Sequence, residues 1–288
     1  MAANASAGVS HVSDTARWVA VYRAMESERP DAIFRDPFAR RLAGERGEAI
    51  VRAMPRGRAW AWPMIVRTAV MDEIILRHVN DGARAVVNLA AGLDTRAYRL
   101  ELPPALRWFH VDFPDVVEYV RGSLAAERPR CDLQWLSADL TDPAQLDAAL
   151  RRAAAEGPAL VIAEGLLIYL APEQVATLAR ELAAVETVRW WLIDLGSPRL
   201  LKLMARQWGS KVAAGNAPFR FAPEEGTAFF TPFGWREAEF HSIWTESLRL
   251  KRSMPLAGLW NLLGRLRSRA VREGMLRMSG AVLLERSR

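Results

Sequence analysis

Val86-Val87-Asn88-Leu89-Ala90-Ala91-Gly92-Leu93-Asp94-Thr95-Arg96 is the stretch whose reading decides the fold. A short apolar run stops at a small-residue turn holding one glycine, then passes into a predicted helix. An α/β sheet brings its backbone close to a nucleotide-like ligand in this way. Outward from this stretch, strand and helix signals alternate. Strands are predicted at 85–89, 106–111, 133–136, 159–163 and 188–194, with helical patterns at 115–127, 143–155 and 172–186. Pro143 and Pro172 sit near helix starts. Such alternation implies right-handed crossovers and a parallel sheet covered on both faces.

Residues 14–54 read as helices, the second opened by Asp36-Pro37-Phe38, and 63–79 as a third that Asn80-Asp81-Gly82 ends. After 196 the rhythm breaks. Residues 198–213 look helical, 215–235 loop-like and aromatic, and 237–244 strand-like. A basic helical segment then runs to Gly274, and 280–285 closes the chain as a last strand. We expect one domain over 1–288, with a helical cap (1–80), a ligand-binding core (83–196), a lid insertion (197–236) and C-terminal strands and helix (237–288).

The 288 residues are 51% hydrophobic and 25% charged, an ordinary soluble composition with ample core material. No apolar run approaches the ~18–20 residues that span a bilayer. Met1 to Ser13 shows no basic region followed by an apolar one, so no secretory signal is expected. Cys131 is the single cysteine, which fits a reducing cytoplasm. The net charge of +6 invites a nucleic-acid reading. Yet lysine occurs only at 202, 211 and 251, and arginine spread through an alanine-rich chain reads as compositional bias. The cluster Arg265, Arg267, Arg269 and Arg272 reads as a solvated helix face whose stems cover apolar surface. Neither a nucleic acid nor a membrane is expected as partner.

A dinucleotide fingerprint wants three glycines, so that a pyrophosphate can sit on a helix N-terminus. Here Gly92 stands alone beside Ala90 and Ala91, which suits a ligand without phosphates. Asp112 closes the second strand roughly 20 positions past the turn, placed for two ribose hydroxyls. Its competing role is to cap the helix at Pro114, a task for which Asp115 is also free. Asp139 is placed to accept from an adenine amine, with Leu140 on the ring, while Asp142 can cap the helix at Pro143. The fourth strand ends in Glu164, close to Tyr169.

Taken together, residues 88–96, His110-Val111-Asp112-Phe113-Pro114 and Glu164-Gly165-Leu166-Leu167-Ile168-Tyr169-Leu170 resemble the leucine carboxyl methyltransferase family. Residues 15–18, 22–26, 34–38, Arg67-Thr68 and 233–235 fit its bacterial branch, which includes carboxyl methyltransferases of polyketide acids. The resemblance implies a Rossmann-like class I methyltransferase sheet, mostly parallel with an antiparallel last strand, and S-adenosylmethionine (SAM) as cofactor. It further implies that Arg67 takes the SAM carboxylate, with Arg23 reaching the same group. Ala90 and Gly92 would form the turn under the methionine part, Asp112 would hold ribose, and Asp139 with Leu140 adenine. Glu164 would face the amino group, and Tyr169 would line the way to the acceptor.

Methyl transfer from a sulfonium is an in-line displacement, accelerated chiefly by alignment. A carboxylate with a pKa of ~4 arrives ionised and needs no base, whereas a phenol or alcohol profits from one. Of His11, His78, His110 and His241, none sits in a base motif. His78 reads as a helix-end charge partner and His110 as packed; His11 is the one placed to fold over a pocket. Tyr169 and His11 are therefore the candidate catalytic residues. No cluster has metal-ligand spacing. Phe219, Phe221, Phe229, Phe230 and Trp235 read equally as an apolar acceptor wall or as a satellite core. Arg199 and Arg220 are possible partners for a substrate carboxylate. The expected function is SAM-dependent O-methylation of a small-molecule carboxylate, with a phenol or hydroxyl acceptor as alternative. An NAD-dependent oxidoreductase and a nucleic-acid-binding module fit less well.

Overall fold

The computed structural model describes residues 13–54, 56–153, 157–214 and 218–287. Seven strands form one sheet in the order β3-β2-β1-β4-β5-β7-β6. They are β1 (Ala85–Leu89), β2 (Arg107–Asp112), β3 (Asp132–Ser137), β4 (Ala159–Ala163), β5 (Val188–Gly196), β6 (Trp235–Ser242) and β7 (Ser279–Arg286). From β3 to β5 every neighbour pairs in parallel, and β7 runs antiparallel between β5 and β6. This is the Rossmann-like, mostly parallel sheet with an antiparallel last strand that the sequence implied.

Strands β1 and β4 are buried along their whole length, as central strands with helices on both faces must be. Their side chains alternate between two cores. Val86, Trp108, Leu160 and Leu192 face α1 (Ser13–Ser27), α3 (Ala61–Asn80) and α5 (Pro114–Ser123). Val87, Phe109, Val161 and Trp191 face α6 (Pro143–Ala153) and α7 (Pro172–Ala184). Pro114 and Pro172 open their helices at the first turn. Asp142 caps α6, its Oδ1 accepting from the Ala144 amide at 2.9 Å. Among the described residues no helix is long and apolar enough to cross a membrane.

Several boundaries differ from the sequence reading. Helix α2 (Ala39–Ala53) opens after Asp36-Pro37-Phe38, because the Phe38 amide donates to Asp36 Oδ1 at 3.1 Å and holds that segment as a turn. The basic segment is three short helices, α9 (Ile243–Arg249), α10 (Ala257–Arg265) and α11 (Arg269–Leu276). Residues 226–233 form a 3-10 turn, and the aromatics around it are mainly interior. Phe221, Phe230 and Trp235 are buried beneath α7. Trp191 meets Phe230 and Trp235 edge-on, with ring centroids 5.3 and 5.6 Å apart. The Trp235 indole donates to the Ala179 carbonyl at 2.9 Å. These rings pin the 3-10 turn to the sheet, so the core reading holds for them.

Trp191 is fully buried at the centre of this cluster. Trp191→Ala is expected to lower the unfolding free energy by roughly 3–5 kcal/mol, read from urea denaturation. A loss within ~0.5 kcal/mol, the range of an ordinary surface change, would show that the aromatics do not anchor the turn.

Candidate active site

The strand order reverses between β1 and β4, where an open α/β sheet leaves a crevice at its carboxyl edge. Two joined lobes occupy it, sharing Thr15, Ala16, Ala90, Gly92, Gly165 and Tyr169 in their walls. The lobe over β2 and β3 measures about 400 Å³ and is lined by Asp112, Phe113, Asp139 and Leu140. The other measures about 180 Å³, with Arg23, Arg67, Glu164 and Asp194 in its wall. The crevice thus brings Arg23, Arg67, Ala90, Gly92, Asp112, Asp139, Leu140, Glu164 and Tyr169 together. His11 lies outside the described residues.

The turn after β1 is the floor. Ala90 and Gly92 both adopt positive φ, 49° and 54°, and a side chain tolerates that region poorly. A Cβ at position 92 would stand 3.0 Å from Ala16 Cβ, so glycine lets α1 lie over the turn. The Gly92 amide donates to Asp112 Oδ2 at 2.6 Å, and the Phe113 amide to Oδ1 at 2.7 Å. Burial pushes the Asp112 carboxyl up to about 6 despite these two bonds. Asp139 Oδ1 takes the Thr141 amide at 2.8 Å and hydroxyl at 2.7 Å, and its Oδ2 has no partner among the described residues.

The smaller lobe is walled by a chain of alternating charges. Arg99 donates to Asp72 at 2.6 and 2.9 Å, and Arg96 Nε shares the same carboxylate at 2.6 Å. Arg96 Nη1 lies 2.7 Å from Asp94 Oδ2 and 2.8 Å from Glu164 Oε2. Arg67 Nε then donates to Glu164 Oε1, and its Nη1 to Asp194 Oδ2, each at 2.9 Å. Asp194 Oδ1 accepts the Gly165 amide at 2.5 Å. Burial alone would raise Glu164, but the Arg96 and Arg67 guanidiniums hold it down at about 2. Asp94 is likewise held well below the usual carboxylate range, burial being overcome by Arg96, Arg99 and Arg23. Arg23 stands beside this chain, its Nε on Asp36 at 2.8 Å and its Nη2 on the Leu93 carbonyl at 2.5 Å.

Sequence reasoning missed Arg96, Arg99, Asp94, Asp72 and Asp194. Asp194 carried the strand-end signal that marked Glu164. Arg96 was quoted within the glycine-turn stretch but given no role.

Three polar groups in this wall have unused capacity. Arg67 Nη2 has no partner among the described residues, and Thr68 Oγ1 and Arg99 Nε are buried without one. Burial raises the Tyr169 phenol to about 12, so it is a neutral group at the junction of the lobes, its ring centroid 5.9 Å from that of Phe219. His110 is packed in the sheet, and burial lowers it to about 4. His78, in the last turn of α3, is buried too, its Nδ1 2.9 Å from the Ile74 carbonyl.

The sheet and its carboxyl-edge crevice are Rossmann-like, and the comparisons give the class. The leucine carboxyl methyltransferase family matches residues 16–183, and the chain belongs to that family. It is 34% identical over 273 residues to a provisionally named S-adenosyl-L-methionine-dependent methyltransferase of Parafrankia sp., covering 88% of this chain and 86% of that protein. A similarly named protein of Streptomyces coelicolor is 34% identical over 267 residues, covering 85% and 90%. The fold is similar to a crystal structure of a DUF574 family protein from Streptomyces avermitilis, with TM-score 0.59 and 17% identity over 94% of this chain and 97% of that one. The protein is a SAM-dependent methyltransferase.

Removing one member of a buried ion chain strands its partners. Arg96→Ala is expected to lower the unfolding free energy by roughly 3–5 kcal/mol, since Asp72, Asp94 and Glu164 lose their common cation. Glu164 has a folded value below its unfolded one of ~4.3. Its contribution is therefore fully present above the unfolded value and is lost as pH falls through about 2. Urea midpoints measured from pH 6 down to pH 2 should fall for the native chain, and more shallowly for Glu164→Gln.

Proposed function

We propose that the protein methylates an oxygen of a small-molecule carboxylic acid, of the polyketide or another secondary-metabolite type. We further infer that it works as one unit, with residues 1–80 capping the core at 83–196, and the segments 197–236 and 237–288 framing the acceptor. What supports the acceptor reading is the chemistry of the crevice. Among the described residues no histidine lines it, its carboxylates Asp94 and Glu164 are held ionised by guanidiniums, and Tyr169 is a neutral phenol. The raised carboxyl of Asp112 lies in the other lobe, and a smaller lobe without a poised base suits an acceptor that arrives already ionised. Ile168, Leu200, Met204 and Phe219 supply an apolar surface for its body.

The residues present suit SAM, which has a carboxylate, an ammonium and a sulfonium but no phosphates. When bound, it supplies an activated methyl group. Arg67 Nη2 and Thr68 Oγ1 are unused donors for its carboxylate, with Arg23 beside them. Glu164, assisted by Asp194, faces the ammonium. Asp112 holds both ribose hydroxyls, and Asp139 with Leu140 receives adenine. Tyr169 stands between the lobes and aligns the acceptor with the methyl donor. Alignment, rather than proton transfer, is the source of rate enhancement here.

A charge-assisted hydrogen bond contributes ~1.5–3 kcal/mol, so losing two should weaken SAM binding roughly a hundredfold or more. Asp112→Ala is expected to do this in calorimetry while circular dichroism stays native; unchanged affinity would sink the assignment. Ribose hydroxyls donate best to an ionised carboxylate. SAM affinity of the native chain should therefore weaken as pH falls below about 6, the Asp112 value, and that dependence should vanish in Asp112→Ala. Acceptor class is read from the product: release of the methyl group by mild base marks an ester, and resistance marks an ether and overturns the carboxylate reading.

A further inference from the structure

Helix α10 is built inside out. Leu256, Leu259, Trp260, Leu263 and Leu266 recur at three- and four-residue spacing and so share one face. That face points to solvent, with Leu256 at 69%, Trp260 at 54%, Leu263 at 44% and Leu266 at 81% exposure. The more covered side carries Ala257, Asn261 and Gly264. Val271 and Met275, one turn apart on α11, are exposed as well. A soluble helix normally shows the reverse arrangement, and a contiguous exposed apolar surface marks an interaction site.

Charge says what it meets. Residues 251–277 hold seven cations and a single anion, Glu273, a net of +6 that equals the formal charge of the whole chain. The excess is therefore confined to this arm, contrary to the even spread read from composition. Arg252 is used inside on Glu26, Arg277 on Glu237 and Arg269 on Glu273. Lys251, Arg267 and Arg272 are exposed, and their side chains have no partners among the described residues. A second copy related by a two-fold axis would bring the same cations to the seam. An anionic bilayer meets both halves of the pattern, taking the leucines and tryptophan at the acyl boundary and the cations at its headgroups.

We propose that the α10–α11 arm docks the enzyme on anionic phospholipid surfaces. The arm leaves and rejoins the sheet beside the crevice. Ser279, which follows it, lines the smaller lobe, and the Met278 carbonyl accepts from the Ser197 amide at 2.9 Å.

Flotation of the full chain with phosphatidylcholine vesicles, with and without phosphatidylglycerol, tests this without any methyl acceptor. Binding is expected only to the anionic vesicles, at least roughly tenfold above neutral ones, and to fall with added salt. Leu263→Glu and the double variant Arg267→Glu/Arg272→Glu should each lose it while SAM affinity by calorimetry stays native. No binding, or equal binding to neutral vesicles, overturns the proposal. So does a concentration-dependent dimer in sedimentation velocity that Leu263→Glu dissociates, which would make a second copy the occupant.

Discussion

The buried charge chain running from Arg99 through Asp72, Arg96, Glu164 and Arg67 to Asp194 is the constraint on which the rest of the molecule depends. Each ion taken out of water costs several kcal/mol, and only close geometry with further hydrogen bonds offsets that. The members come from α3, the short helix α4 (Arg96–Arg99) and the ends of β4 and β5, so these elements must meet within a fraction of an ångström. The sheet makes this possible. Its parallel register sets the heights of Glu164 and Asp194, and the apolar faces of α1 and α3 fix the helix that carries Arg67 and Asp72.

This chain also explains which parts of the site the sequence displayed. Asp112, Asp139 and Glu164 were legible because each follows a strand in an alternating pattern, and ligands gather at that edge. Asp194 obeys the same logic, since it closes the strand predicted at 188–194, but it was given no role; in the structure β5 runs on to Gly196 and the acid sits just inside the strand end. Arg96 was not legible as a partner of Asp72 or Glu164, since nothing local indicates that the turn after Leu93 folds α4 against α3. The central strands read almost residue for residue, being apolar throughout except at Asn88. The aromatics of 219–235 did not, because a phenylalanine serves a core and a pocket wall equally well.

The acids of the crevice fall into two electrostatic kinds. Glu164 and Asp94 face guanidiniums, which hold them ionised far below neutrality, so their charge is constant wherever the protein is folded. Asp112 is met by the neutral amides of Gly92 and Phe113 and no guanidinium among the described residues, and burial, aided by the nearby Asp115, wins. The same residue type thus acts as fixed scaffolding in one lobe and as an under-satisfied acceptor in the other. In the proposed reading the ribose hydroxyls supply the donors that Asp112 lacks, so part of the binding free energy is relief of the cost of burying that carboxyl.

A site whose charges are set in advance does little reorganising during reaction. Its permanent ion chain lies on the side proposed for the methionine part, while the acceptor side carries the apolar Ile168, Leu200, Met204 and Phe219 and the neutral hydroxyl of Tyr169. Displacement at a sulfonium neutralises charge as an anionic acceptor approaches, and a dry, weakly polar wall favours that loss of charge more than water does. Placing the fixed charges behind the methyl donor and apolar side chains on the acceptor side serves that step better than a base would. It also accounts for the place of Phe219, which lines the crevice against Tyr169, whereas Phe221 and Phe230 turn inward.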